Sequence, residues 1–296
     1  MIYSQPFMMV SSAGVEAITN DSTLTKQLVS SISIIIPVYN EEKRIKRCLE
    51  RLSEYCKALD SDFEIIVVDD ASLDNTIKIA ENIQLAENRI KIIASNCREG
   101  KGKSVRNAIL QSNKEYVAYM DVDLSGDPSE LERLFKYINN NDIVIGSRIL
   151  RGDLQSVRRP LLRSFLSYGY SLLFRSLFRT SIYDVQCGFK LLRRQPVLDI
   201  LKNIKCHSFT FDSELLVMAQ MQGLRIKEVP IIWEHGEDSK IKPLQQVRIM
   251  GGELLSYWYN IHRFESKNGR RQNKSLARGR LLFILMMALT TLMQTR

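Results

Sequence analysis

Histidine and cysteine are scarce in this chain of 296 residues, which contains three His and five Cys. The cysteines are scattered, odd in number and without CxxC spacing, so the sequence indicates neither a disulfide framework nor a zinc site, and we expect a reducing compartment. No histidine lies in an HExxH pair, which argues against imidazole-based metal or triad chemistry. The first residues show no basic segment followed by a long apolar stretch, so no signal peptide is expected.

Acidic residues are outnumbered, because 42 Lys and Arg face 33 Asp and Glu and give a net charge of +9. This balance favours an anionic partner, which is a nucleic acid, a membrane surface or a phosphorylated substrate. A nucleic-acid-binding module would mass basic residues with exposed aromatic ones, whereas the motifs of this chain centre on carboxylates. We therefore expect no nucleic-acid partner.

The hydrophobic pattern predicts an α/β fold. Apolar strands at about 32–36, 63–68, 90–95, 116–120 and 142–146 alternate with helical stretches, as in a doubly wound, mainly parallel sheet flanked by helices. The first helix has one apolar face, made of Ile45, Cys48, Leu49, Leu52, Cys56 and Leu59. We divide the chain into a flexible arm at 1–30, the α/β domain at 31–240 and a helical, basic and apolar segment at 241–296.

Two carboxylate clusters follow predicted strands: Asp69 with Asp70, and Asp121 with Asp123. The carboxyl ends of parallel strands meet at one edge of a sheet, where ligands bind, so we expect one anionic pocket. Strand alternation would point Asp121 and Asp123 the same way, and they could then share a divalent cation with phosphate oxygens and water. This chemistry suits a nucleotide diphosphate. As an alternative, each Asp is only a turn former or a helix N-cap.

The segment EGKGKS, at 99–104, is a second candidate for phosphate binding. A nucleotide-binding P-loop needs Gly five residues before Gly102, and Cys97 stands there, so this interpretation fails. What remains is a flexible glycine loop that carries Arg98, Lys101 and Lys103 near the expected nucleotide pocket, or a basic loop that only faces solvent.

Six motifs together resemble one enzyme family: SIIIPVYNEEKRI, EIIVVDDASLDNT, NCREGKGKSVRNAI, YMDVDLSGDP, IVIGSR and DVQCGFKLLRR. Their order and spacing resemble the family 2 inverting glycosyltransferases of the GT-A (Rossmann-like) fold. The similarity is greatest to the dolichyl-phosphate mannose synthase and dolichyl-phosphate glucosyltransferase branch, which transfers a hexose from a nucleotide diphosphate sugar to a polyprenyl phosphate. The resemblance implies binding of Mg²⁺ or Mn²⁺ by Asp121 and Asp123. It places the nucleotide sugar against Pro37, Tyr39, Glu41, Asp69, Asp70, Lys101, Asp121 and Val122.

The acceptor determines which further residues are expected to be catalytic. A lipid phosphate is already ionised, so it needs fixed cations rather than a general base, and Arg148, Arg159 and Arg163 are the candidates. Asp212 and Glu214 fall where many family 2 enzymes place an acid/base. They would be needed for a hydroxyl acceptor, such as a glycan or a lipid alcohol, and Asp212 is otherwise interpreted as an N-cap. The metal ligand Asp123 completes the catalytic set that the resemblance implies.

Two apolar segments indicate a membrane surface as a partner. Residues 161–178 predict a helix with a wide apolar stripe, which either packs on the sheet or lies in a lipid interface. Residues 281–293 carry no charge and would span about 20 Å as a helix, less than the ~30 Å hydrocarbon core. We expect peripheral or monotopic attachment to the cytoplasmic face of a membrane.

Overall fold

The computed structural model describes residues 29–59, 61–150, 161–206, 208–234 and 243–267. Within these residues, seven hydrogen-bonded strands form one sheet. Most of the predicted arm, Arg159 and the apolar tail at 281–293 lie outside these residues. The strands run in the order β3-β2-β1-β4-β6-β5-β7. Their bounds are β1 Ser31–Val38, β2 Asp62–Asp69, β3 Ile90–Ala94, β4 Tyr116–Met120, β5 Ile143–Ser147, β6 Phe189–Arg193 and β7 Ile226–Pro230.

The sheet is parallel except for β6. Strand β1 pairs in parallel with β2 and β4, β2 with β3, and β5 with β7. Strand β6 lies antiparallel between β4 and β5. The expected mainly parallel α/β sheet is thus confirmed, and its topology brings the carboxyl ends of β1, β2 and β4 to one edge.

The helices cover this sheet and bury the faces that the sequence predicts. All six apolar residues of the first helix are buried, while its Lys and Arg side chains lie outside the core. The helices are α1 Ile45–Leu59, α2 Thr76–Gln84, α3 Lys101–Gln111, α4 Leu131–Ile138, α5 Leu161–Phe178, α6 Arg194–Asn203, α7 Phe211–Met221 and α8 Pro243–Lys267, with a 3-10 turn at Pro128–Glu130.

Helix α5 has the predicted bounds and packs against α8. The rings of Phe178 and Tyr257 are 5.9 Å apart, and the Trp258 indole donates to the carbonyl of Leu177 at 3.1 Å. The other face of α5 exposes Tyr168 and Leu172, at 52% and 66%. Among the described residues, no helix combines the length and the apolar character that crossing a bilayer requires.

Candidate active site

Asp121 and Asp123, which form an Asp-Val-Asp (DxD) motif, lie in a turn that follows β4, called the DxD turn below. The strand ends at Met120, so strand alternation does not orient Asp121 and Asp123, and that part of the sequence prediction is wrong. Leu124 closes the turn with a φ of 53°, and the Asp123 carboxylate accepts from the Ser125 amide at 2.9 Å. Val122 is buried, whereas Asp123 is exposed. The buried Val122 side chain therefore anchors the turn, and the Asp123 side chain faces the solvent.

Lys101 binds Asp121 directly. Its ammonium lies 2.6 Å from Asp121 Oδ1 and 6.0 Å from the centre of the Phe209 ring. Burial would lower the pKa of Lys101, but the charges of Asp121 and Asp212 outweigh it and raise that pKa. Lys101 begins α3, so the predicted flexible loop at this position is wrong. The helix fixes a charged ammonium beside the first aspartate of the DxD turn.

Gly188 provides the space that the Asp121 carboxylate occupies. A Cβ on this glycine would lie 2.2 Å from Asp121 Oδ2, which no side chain can tolerate without a shift. Gly188 directly precedes β6, and β6 pairs with β4 through Met120 and Phe189. The sheet register thus places a glycine against the DxD turn, a contact between residues far apart in sequence.

Asp69 and Asp70 shape the neighbouring loops. Asp70 accepts from the backbone amides of Glu99 at 2.6 Å and Gly100 at 3.0 Å, and Gly100 has a φ of 94°. Asp69 accepts from the amide of Ser72 at 2.9 Å and from its hydroxyl. Both carboxylates are buried at the end of β2. They hold the entry to α3 and the turn after β2 at the edge where β4 also ends.

The end of β1 supplies an aromatic ring to the same edge. Pro37 lies within β1 opposite Val68, and Tyr39 follows the strand. The guanidinium of Arg98 lies 4.0 Å from the centre of the Tyr39 ring and 3.8 Å from Asp70. Tyr39 and Asp70 are therefore close together, as expected for two walls of one pocket.

Glu41 begins the turn that leads into α1. Its carboxylate binds Arg44 at 3.1 Å, and its backbone amide donates to the Thr76 hydroxyl at 2.7 Å. The preceding Asn40 adopts a φ of 54°, and its side chain accepts from the Leu73 amide at 2.7 Å. These bonds join the loop after β1 to the loop after β2.

Arg148 follows β5 and forms a fork with Asp184. Its Nε and Nη2 each lie 2.8 Å from one oxygen of that carboxylate, and its guanidinium lies 5.2 Å from the Trp233 ring. Burial opposes the charge of Arg148, but Asp184 outweighs it and raises the pKa of the guanidinium. The fork uses two of the five N–H donors of the Arg148 guanidinium. The remaining N–H groups give this fixed cation donors for a second anion. Arg163 belongs to α5, but its side chain lies outside the described ones.

Asp212 is buried in the first turn of α7, and its interpretation as the N-cap is wrong. The N-cap is Thr210. Asp212 Oδ1 instead accepts from the ammonium of Lys190 at 2.7 Å and from the hydroxyl of Tyr119 at 2.5 Å. Burial, together with the charge of Asp212, holds the pKa of Tyr119 well above its usual value. Tyr119 is missing from the predicted site because the contact joins residues that are 93 positions apart.

Glu214 is also committed to structural bonds. Its carboxylate accepts from the backbone amides of Cys206 at 2.8 Å and Lys205 at 3.2 Å. Burial raises the pKa of Glu214, although these two donors act in the opposite direction. The side chain holds the loop that leads into α7.

A groove of about 1180 Å³ lies between α7, α8 and the loop before α7. Its lining includes Thr210, Ser213, Glu214, Met218 and Tyr257. Thr210 and Ser213 flank Asp212 closely in sequence, so the groove and the Lys190–Asp212 ion pair share the first turn of α7.

Comparison with known proteins identifies the family. The sequence model for glycosyl transferase family 2 matches residues 33–201. The chain is 30% identical over 267 residues to glycosyltransferase AglD of Haloferax volcanii, across 88% of this chain but only 42% of that protein. It is 31% identical to the dolichyl-phosphate beta-glucosyltransferase of Dictyostelium discoideum, across 77% of this chain and 76% of that one. The mouse dolichyl-phosphate beta-glucosyltransferase is 32% identical, with coverage of 78% and 74%.

Solved structures support the fold. Glucosyl-3-phosphoglycerate synthase from Mycobacterium tuberculosis, solved with Mn²⁺, uridine diphosphate and phosphoglyceric acid, superposes with a TM-score of 0.62. The match covers 88% of this chain and 86% of that one at 16% identity, so it carries the fold alone. The matching family model, the curated relatives and the sheet topology agree, and the chain belongs to glycosyl transferase family 2, with the GT-A fold and with similarity to its dolichyl-phosphate glycosyltransferase branch.

Proposed function

We propose that this protein is an inverting glycosyltransferase that moves a hexose from a nucleotide diphosphate sugar, of the UDP-glucose or GDP-mannose type, to a membrane polyprenyl or dolichyl phosphate. One observation favours a phosphate over a hydroxyl as the acceptor. Both candidate bases are committed to other partners, Asp212 to Lys190 and Glu214 to two backbone amides. An ionised phosphate needs no base, whereas a hydroxyl acceptor would. The names of the curated relatives support the same acceptor.

The nucleotide sugar would bind at the edge where β1, β2 and β4 end. Tyr39 would offer a ring for the base, and Asp70 and Glu41 would offer oxygens to base or ribose donors, with Asp69 as the second choice for the role of Asp70. Lys101 lies beside the DxD turn and would contact the diphosphate. The Mycobacterium neighbour, which has the same fold, contains uridine diphosphate in its structure.

A divalent cation fits the DxD turn. Among the described residues, no set of three or more Asp, Glu, His or Cys side chains is arranged to hold a metal ion. Asp121 and Asp123 would bind Mg²⁺ or Mn²⁺, with donor phosphates and water completing the shell, as hard cations prefer. The absence of a Cβ on Gly188 makes room for the Asp121 carboxylate in this turn, and Asp123 is exposed and open to a cation. When bound, the cation would stabilise the negative charge on the departing diphosphate.

The reaction is a displacement at the anomeric carbon. An acceptor phosphate oxygen forms the new bond to this carbon, and the bond to the nucleotide diphosphate breaks with its electron pair. The main obstacle is the repulsion between two anions, which fixed cations reduce without reorganisation. Arg148 is held in place by Asp184 and would bind the acceptor phosphate, and Arg163 is a second candidate for this role.

Membrane attachment follows from the acceptor, because a polyprenyl phosphate stays in its bilayer. We propose peripheral or monotopic attachment at the cytoplasmic face. Tyr168 and Leu172 on α5 are exposed, with Arg175 on the same helix. The basic and apolar residues of 241–296 supply a second attachment device in the sequence.

The first prediction is dependence on a divalent cation. EDTA should abolish sugar transfer, and Asp123→Ala should lower kcat/KM by about 10²-fold or more, because Asp123 would hold the cation that stabilises the negative charge developing on the departing diphosphate. The exposed position of Asp123 predicts an unchanged melting temperature. Full transfer in EDTA would remove the metal from this function.

The second prediction ranks two side chains. Arg148→Ala should lower kcat by about 10²–10³-fold, because the repulsion between the phosphates is then unopposed, whereas Glu214→Gln should cost less than about tenfold. Arg148→Lys is the matched control, since it keeps the charge but cannot form the fork. Steady-state kinetics of the three variants would test this ranking, and the reverse order would indicate a hydroxyl acceptor.

The third prediction concerns the membrane. The full chain should float with anionic liposomes, and salt should weaken this binding, because each basic residue near the leaflet contributes about 1 kcal/mol. A chain that ends at Asn273 lacks the apolar segment 281–293 and should float less. Equal flotation of both chains would exclude the tail as an anchor, and failure of both would exclude the membrane surface.

A further inference from the structure

Lys190 is fully buried, with a relative exposure of 0%. A buried ammonium is stable only when it is paired and hydrogen-bonded. Its Nζ donates to Asp212 Oδ1 at 2.7 Å and to the carbonyl oxygen of Cys187 at 2.5 Å. The reaction proposed above requires no such group, so the position of Lys190 needs an explanation of its own.

The sheet register explains how Lys190 reaches Asp212. Strand β6 runs antiparallel to β4 and pairs Lys190 with Tyr119. The ammonium lies 5.3 Å from the centre of the Tyr119 ring, and the Tyr119 hydroxyl donates to the same oxygen of Asp212. One carboxylate oxygen from α7 therefore receives donors from two neighbouring strands.

The second bond of Lys190 leads to the DxD turn. It fixes the carbonyl of Cys187, and the next residue is Gly188, whose Cα faces the Asp121 carboxylate. Asp121 in turn binds Lys101. A continuous set of contacts thus joins the first turn of α7 to the carboxylate that would hold the donor.

We infer that Lys190 is a positioning residue that neutralises Asp212 and fixes the turn at Cys187 and Gly188 against Asp121, so that Asp212 is a fixed counter-ion and not a general base. The inference rests on the proposed phosphate acceptor, for which no base is required. The two donors on Oδ1 of Asp212 support the role of counter-ion, because both hold the carboxylate in place through this oxygen.

The test is a double-mutant cycle with Lys190→Met, Asp212→Asn and the combined variant. Each single change leaves one buried charge without its opposite charge, and we expect kcat/KM to fall about 10–100-fold, as for other residues that orient a ligand-binding group. The combined variant removes both charges, and its kcat/KM should rise above that of either single variant without reaching the parent, because the bond from Lys190 to the Cys187 carbonyl is still missing. Tyr119→Phe is the control, because it removes one donor to Asp212 and no charge.

Two further readouts distinguish positioning from catalysis. The melting temperature in EDTA should fall in Lys190→Met and recover in the combined variant. The metal concentration for half-maximal activity should rise in Lys190→Met and stay raised in the combined variant, because both lack the bond to Cys187 that holds Gly188 against Asp121. If Asp212 is a base, Asp212→Asn and the combined variant should be equally impaired, by about 10²–10⁴-fold, and this result would overturn the inference.

If Lys190→Met alone does not fold, the comparison of Asp212→Asn with the combined variant still tests the inference. Asp212→Asn keeps the shape of the side chain, and the counter-ion role requires the combined variant to be more active than this single variant. The proposed function is tested separately on the parent enzyme, by its transfer to a polyprenyl phosphate. Absence of rescue with an active parent therefore refutes the role of Lys190 alone.

Discussion

The antiparallel position of β6 between β4 and β5 is the constraint on which the site depends. In a parallel sheet, only the carboxyl ends of the strands reach the edge where ligands bind. Because β6 begins at this edge, it brings Gly188 against Asp121 and pairs Lys190 with Tyr119. The DxD turn, the buried ion pair and the first turn of α7 are thereby fixed to one another through the core of the sheet.

Ion pairs set the charge of the site before any substrate binds. Lys101 pairs with Asp121, Arg148 with Asp184 and Lys190 with Asp212. An enzyme that brings a diphosphate and a second phosphate together needs cations at fixed positions, because fixed charges stabilise developing charge without reorganisation. The acidic partners hold the basic side chains in place, and an arriving anion or metal ion would change the partners of Lys101 and Asp121.

The local hydrophobic pattern of the sequence predicts much of this fold. The features that it does not predict depend on contacts between residues far apart in sequence. The five predicted strands and the buried face of α1 follow from continuous apolar runs, which report local periodicity. Strand β6 is absent from the predicted strands, because its run FKLLR carries charged residues at two of five positions. The roles of Lys190, Tyr119 and Gly188 depend on sheet pairing, and neither composition nor spacing contains that information.

The identity of the acceptor distinguishes the two candidate functions, and one assay tests it directly. The purified chain would receive a labelled nucleotide diphosphate sugar with a divalent cation, and either a short polyprenyl phosphate or the corresponding polyprenol in the same detergent. UDP-glucose and GDP-mannose would be compared as donors. We predict transfer to the polyprenyl phosphate and none to the polyprenol. Transfer to the polyprenol at an equal or higher rate would contradict the phosphate acceptor and return Asp212 or Glu214 to the role of a base.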